Sequence, residues 1–139
     1  MDTREVYKAI ADVLETTTRN SRNPLTPHPA QLVRGAPAES RAHLSYRIKP
    51  LPPASISQQG HCLDYDRQWS IVISARLDDH QLYTLTQLFD LEDTLVSAFA
   101  SSDLNWVIRP PVASYDSVEN ARYAELTLTL DTNYRRQAG

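Results

Sequence analysis

An alternation of apolar and polar side chains near the middle of the chain constrains the fold more than any other feature. Between Trp69 and Leu77 the apolar residues occupy every second position, and Ser70, Ser74 and Arg76 lie between them, with Val72 as the exception. A repeat of two over this length is typical of a strand that is half-buried in a sheet. A sheet with one apolar face needs a second layer to cover it.

Two helices are predicted to supply that layer. The first spans residues 3–17, and Asp2 with Glu5 resembles a capping box at its start. The second spans about 81–101, after Asp78 and Asp79, which offer N-cap chemistry. Their apolar stripes, at helical spacing, are Val6, Ile10, Val13, Leu14 and Thr17 in the first helix and Leu85, Leu88, Leu91, Leu95 and Phe99 in the second.

Three further alternations predict strands at 44–48, 104–108 and 124–130. The segments between them read as loops: proline-rich at 20–29, polar after Pro110-Pro111, and long, irregular and mobile at 50–64. The order predicts a single α+β domain over residues 1–139. It has a mostly antiparallel sheet of about four strands, with two helices packed on the face that carries Ile71, Ile73, Leu126 and Leu128.

Charge and cysteine content narrow the classes of function. The 139 residues include 14 basic and 17 acidic side chains, for a net charge of −3. Because tight nucleic-acid binding needs clustered basic residues, we do not expect it here. Cys62 is the single cysteine, which excludes an intrachain disulfide and predicts a reducing compartment. No apolar run approaches membrane-spanning length, and the charged start does not resemble a signal peptide, so we expect folding in a cytoplasm.

The residues capable of chemistry lack the spacing that catalysis or metal binding requires. His61 and Cys62 are adjacent, and no second cluster accompanies them or the nearby Asp64 and Asp66. Asp78, Asp79 and His80 stand where capping carboxylates belong. With three glycines in the chain, no phosphate-binding loop is present. We therefore expect no enzymatic activity, no cofactor and no metal.

Some side chains outside the core pattern are candidates for an interface. Ile56 is the main apolar residue of the long loop, and the basic pair Arg135–Arg136 lies in a predicted polar C-terminal tail. Exposed tyrosines are enriched at interfaces. The candidates are Ile56, Tyr65, Tyr115, Tyr134, Arg135 and Arg136.

The order of these segments resembles a family of phage proteins. The N-terminal helix contains VYKAIADVLE, YDRQWSIVISARL follows the long loop, and TQLFDLEDTLVSAF leads to NWVIRP and ARYAELTLTLDTNY. This arrangement is similar to the tail-terminator proteins of long-tailed bacteriophages, the lambda-type minor tail protein family. The resemblance covers most of the chain and rests on element order, length and the W-x-I-x-I strand.

The resemblance implies a fold like that of the tail-tube protein and a six-membered ring on the finished tube. Such a ring stops tube growth and presents a surface to the neck and head-completion proteins. The subunit would be assembled in the bacterial cytoplasm and lie at the head-proximal end of the virion tail. DNA would slide through without specific binding, and a net negative charge suits that passage because it repels phosphate.

Two other interpretations remain open. The chain could be a head–tail connector or neck subunit, which also forms rings in phage particles. It could instead be a small cytoplasmic enzyme that uses Asp78, Asp79 and His80.

Overall fold

The computed structural model of the protein describes residues 2–21, 24–27, 44–76, 85–102, 111–118 and 123–137. The elements in chain order are α1 Thr3–Thr18, β1 Thr26–Pro27, β2 Leu44–Pro50, β3 Ser55–Gln59, β4 Cys62–Arg76, α2 Leu85–Ser101, β5 Val112–Val118 and β6 Tyr123–Gln137. The class is α+β, as predicted, but the described sheet has six strands rather than about four.

The sheet order is β1-β2-β4-β6-β5, and β3 also pairs with β4. Every pairing is antiparallel except the short parallel contact of β1 with β2. β6 pairs with β4 along the whole of β4, so β2 and β3 follow one another along its other edge. β4 and β6 are therefore the two central strands.

Helix α1 begins and ends with side-chain hydrogen bonds. The predicted capping box is present, because the Asp2 carboxylate accepts a bond from the backbone of Glu5 at 2.9 Å and Glu5 bonds back to Asp2. At the other end, the Thr18 hydroxyl donates to the Leu14 carbonyl and accepts a bond from the backbone N–H of Leu25, both at 2.9 Å. Thr18, rather than the predicted Thr17, is the buried threonine of the stripe.

The core lies between the two helices and one face of the sheet. The alternation from Trp69 to Ala75 faces the helices, as predicted, and each of its four buried residues lies opposite an apolar partner on β6. Its last predicted member, Leu77, lies outside the described residues. The buried set comprises Trp69, Ile71, Ile73 and Ala75 on β4, Ala124, Leu126, Leu128, Leu130 and Tyr134 on β6, Leu44, Tyr46 and Ile48 on β2, Val6, Ile10 and Leu14 on α1, Leu88, Leu91, Leu95 and Phe99 on α2, and Leu25 just before β1.

The prediction of an irregular loop over 50–64 is wrong for most of that segment. Ser55–Gln59 is a strand paired with Cys62–Asp66, and the two are joined by a two-residue turn at Gly60 and His61. Gly60 has φ +63°, a conformation that glycine adopts at little cost and that such turns need. All side chains of β3 are exposed, so no apolar alternation marked it as a strand. Mobility of the segment stays a prediction.

Three other boundaries differ from the predictions. Residues 112–118, expected to be a polar connection, form edge strand β5. Thr26–Pro27, in the predicted loop, pairs with β2. Arg135 and Arg136 belong to β6 rather than to a tail, because β6 continues as far as β4 does. Three further predictions fall outside the described residues: the strand at 104–108, the caps Asp78 and Asp79, and the start of the second helix at 81–84.

One half of the long β4–β6 ladder carries β3 instead of β2. We call this three-stranded part the arm and define it by residues 55–59, 62–67 and 132–137. Leu51 and Ala54 lead the chain from β2 into the arm, with backbone hydrogen bonds to Gln68 at 3.0 Å and to Asp66 at 2.7 Å.

Candidate functional site

A row of large side chains crosses the arm on the side that faces the helices. Ile56, Tyr65 and Tyr134 are direct neighbours on β3, β4 and β6. The rings of Tyr65 and Tyr134 are stacked, with centroids 5.2 Å apart and planes inclined by 2°. Ile56, at the outer end of the row, is 52% exposed. The row therefore runs from a packed interior end to an exposed apolar end.

Tyr134 differs from the sequence expectation, which placed it outside the core. Its side chain is only 3% exposed, because Tyr65 covers one side and the start of α1 lies over it. Its hydroxyl is hydrogen-bonded to the hydroxyl of Thr3 at 3.1 Å. Tyr134 thus attaches the first turn of α1 to the arm, which is a packing role.

Arg67 lies at the inner end of the arm on the same side. Its guanidinium carbon is 5.9 Å from the ring centroids of both Tyr65 and Trp69, within cation–π range. One terminal nitrogen donates to the Leu51 carbonyl at 3.2 Å, and Nε is buried with no hydrogen-bond partner in the described part of the chain. The guanidinium is therefore held between two aromatic faces and one backbone carbonyl.

The opposite side of the arm is polar and carries an ion pair. Arg135 binds the Asp64 carboxylate through Nε at 2.7 Å and Nη2 at 3.2 Å, and Nη2 also lies 3.4 Å from the side-chain oxygen of Gln59. These hydrogen bonds lower the pKa of Asp64 and raise the pKa of Arg135. Arg136 points to the helix side, opposite Leu63, and is exposed.

A second cluster lies at the other edge of the sheet, where α2 meets β5. The rings of Phe89 and Tyr115 meet edge to face, with centroids 5.2 Å apart. The Tyr115 hydroxyl donates to Glu92 Oε1 at 2.5 Å. Desolvation, the hydrogen bond to Glu92 and the charges of Glu92 and Asp93 raise the pKa of Tyr115. Phe89 is 46% and Tyr115 40% exposed despite these contacts.

The structure brings together most of the predicted interface candidates. Five of the six candidates lie on the arm: Ile56, Tyr65, Tyr134, Arg135 and Arg136. The sixth, Tyr115, lies at the far edge of the sheet. Sequence reasoning missed two exposed apolar residues, Phe89 and Val112. Phe89 carried a usable signal, because it directly follows Leu88 and so falls beside the buried stripe of α2.

Among the described residues, the side chains considered for chemistry are not gathered into a site. His61 is exposed in the turn at the end of the arm, and Cys62, half-buried, starts β4. Within the described ranges, no group of three or more histidine, cysteine, aspartate and glutamate side chains is placed to hold a metal ion. Asp78, Asp79 and His80 lie outside those ranges.

No protein-family model matches the chain, and no curated protein is a significant match. Among the described residues, no helix has the length and apolar character needed to cross a membrane.

Proposed function

We propose that this chain is a structural virion protein that forms a ring on the tail tube of a long-tailed bacteriophage. In this proposal, the ring stops polymerisation of the tube protein and provides the surface to which neck and head-completion proteins attach. The ring is hexameric, as in the family that the sequence resembles. It lies at the head-proximal end of the tail, and the genome passes through its centre.

The observation that carries the proposal is that the described sheet has edge strands on both sides, β5 on one side and β3 with the two-residue β1 on the other. β5 pairs only with β6, and β3 pairs only with β4. An edge strand presents unpaired N–H and C=O groups, which soluble proteins protect or use for assembly. A ring of subunits joins one edge of each copy to the other edge of the next, so no edge is left over.

The two faces of the sheet support the same assignment. The helices cover one face, and the other is lined by hydroxyl side chains such as Ser70, Ser74, Thr127 and Thr129. Arg47 and Glu125 form an ion pair on that face at 3.1 Å. A face with hydroxyls and paired charges offers DNA few sites to bind, which suits a passage through which the genome must slide.

A terminator must also differ from the tube protein in at least one surface, because it binds a growing end without creating a new one. Pro52 and Pro53 lie between β2 and β3 and contribute no backbone N–H to that edge. Proline at an edge blocks the addition of another strand. The proline-rich segments at 24–29 and 110–111 are further candidates for the altered surface.

The test is a nonsense mutation in the gene for this chain in the phage that encodes it, with electron microscopy of the lysate. We expect tubes of uncontrolled length that do not join heads, and a plasmid copy of the wild-type gene should restore normal tails. Tails of normal length that still lack heads would move the assignment to a neck or connector subunit. Normal infectious particles would contradict both assignments.

A further inference from the structure

The exposed large hydrophobic residues of the described chain lie at two opposite edges of the sheet. Ile56 is on β3, on one side of β4, and Phe89, Val112 and Tyr115 lie at or beside β5, on the far side of β6. Two exposed apolar sites on opposite edges are what a head-to-tail contact between copies requires. The charges around each site indicate which surfaces would meet.

We define the arm surface as the helix-facing side of the arm, formed by Ile56, Leu63, Tyr65, Arg67 and Arg136. The pleat places these residues on one side and sends Asp64 and Asp66 to the other. The three strands of the arm thus give this surface two arginines and no carboxylate. In the described residues Arg136 has no ion-pair partner, and it is exposed.

We define the edge patch as Phe89 and Tyr115 with the carboxylates of Asp90, Glu92 and Asp93. These three acidic residues follow Phe89 on α2, and α2 contains no lysine or arginine. Asp90 and Asp93 are exposed, and Glu92 is half-buried beneath the Tyr115 hydroxyl. The edge patch is therefore apolar at its centre and negative around it.

We propose that the arm surface of one subunit docks onto the edge patch of a second copy of this chain. Ile56 then packs against the Phe89 and Tyr115 rings, and Arg136 faces the α2 carboxylates. The alternative isologous contacts are disfavoured, because arm against arm would bring arginines together and patch against patch would bring carboxylates together. This inference rests on the proposed function, since it names the contact that repeats around the ring.

Disulfide trapping on the full chain tests the contact, because a covalent bond that persists in the absence of reductant captures even a weak association. In a Cys62→Ser background, one protein carries Ile56→Cys and the other Phe89→Cys. We expect the mixed dimer to form about tenfold faster than either homodimer under mild oxidation, and its formation to slow as salt screens the opposite charges. The matched control replaces Ile56→Cys by Ser57→Cys, which is also exposed but lies on the other side of β3.

A mixed dimer that forms no faster than the homodimers, or no faster than the Ser57→Cys control, would overturn the proposal. A second pair of variants tests the charges. Arg136→Gln should slow trapping several-fold, whereas Lys49→Gln, an equal charge change on the opposite side of the sheet, should not. Equal rates for these two variants would also count against the proposed docking.

The outcome is separable from that of the proposed function. If trapping fails but the nonsense mutant still makes uncontrolled tubes, termination stands and the copies meet through other surfaces, which overturns the docking proposal alone. If trapping succeeds and the mutant phage is normal, the self-contact is supported and tail termination is rejected.

Discussion

The indole Nε1 of Trp69 donates a hydrogen bond of 3.0 Å to the hydroxyl of Thr132, across the ladder of β4 and β6. Thr132 is fully buried, and its hydroxyl donates in turn to the Arg67 carbonyl at 2.8 Å. The pair lies where the apolar core gives way to the arm. Within the described part of the chain, the indole N–H and the hydroxyl bond only to each other and to the backbone, so each depends on the other.

Thr132→Val should therefore destabilise the protein although it conserves shape. It leaves the buried Trp69 N–H without an acceptor, which costs about 1–3 kcal/mol. Urea unfolding followed by circular dichroism measures the change in the free energy of unfolding. Thr129→Val, on the opposite face of β6, is the control and should change it by no more than about 0.5 kcal/mol. Equal effects of the two changes would mean that the Trp69 bond contributes little.

Ile73→Asp should be among the most damaging single changes. Ile73 has no exposed surface and lies between Tyr46 and Leu126, so the variant places an unpaired charge in the core. We expect a loss of several kcal/mol, seen as a large fall in melting temperature. Ser114→Asp, at an exposed position on β5, should melt like the parent. If the Ile73 variant did so too, the register of β4 would be wrong.

Stability should fall in alkaline solution. Burial, followed by the charge and hydrogen bond of Glu15, raises the pKa of Tyr46, and the pKa of Tyr115 is also raised. Above the unfolded value of about 10, the unfolded chain has lost tyrosine protons that the folded chain retains. The stabilising contribution is thus complete below about pH 10 and declines as the pH rises further. Glu92→Gln should lower the midpoint of Tyr115 ionisation in an ultraviolet titration, and an unchanged midpoint would contradict the role of Glu92.

Hydrogen exchange should distinguish the arm from the core. The side chains of β3 are all exposed, whereas Trp69, Ile71 and Ile73 are buried, so amides of 50–64 should exchange faster than those of 69–75 in the free subunit. Assembly should slow exchange in 50–64, because a neighbour then covers that segment. The same protection in free subunit and particle would show that this part of the chain is not at an interface.

The parts of the fold that the sequence predicted are the helices and strands with one solvent-exposed face and one buried face. The strand from Trp69 and the stripes of α1 and α2 each bury one side, and burial selects apolar residues at a fixed spacing. β3 and the start of β4 bury little. The side of the arm that carries Ile56 and Tyr65 therefore also carries Gln58 and Arg67, and no apolar spacing stands out. The pairing of these two strands depends on the Gly60 turn and on β6, which is distant in sequence.

The sequence predicted which residues belong to the candidate site, but it did not predict how they are arranged in space. Ile56 and the tyrosines stood out as large side chains without a place in the core pattern. That Ile56, Tyr65 and Tyr134 form one row follows from the register of three strands, which composition does not encode. Predicting the burial of Tyr134 would have required the position of Thr3, which lies more than a hundred residues earlier in the chain.

The unbroken passage of β4 and β6 through both core and arm has a mechanical consequence. Cys62–Arg76 at about 3.4 Å per residue spans about 50 Å, with β6 bonded along all of it. A force applied along the strands at the Gly60 turn loads these transverse hydrogen bonds in shear, many at once rather than one after another. The arm therefore resists extension along the strands. A pull on its tip is transmitted through the β4–β6 hydrogen bonds to the packed interior.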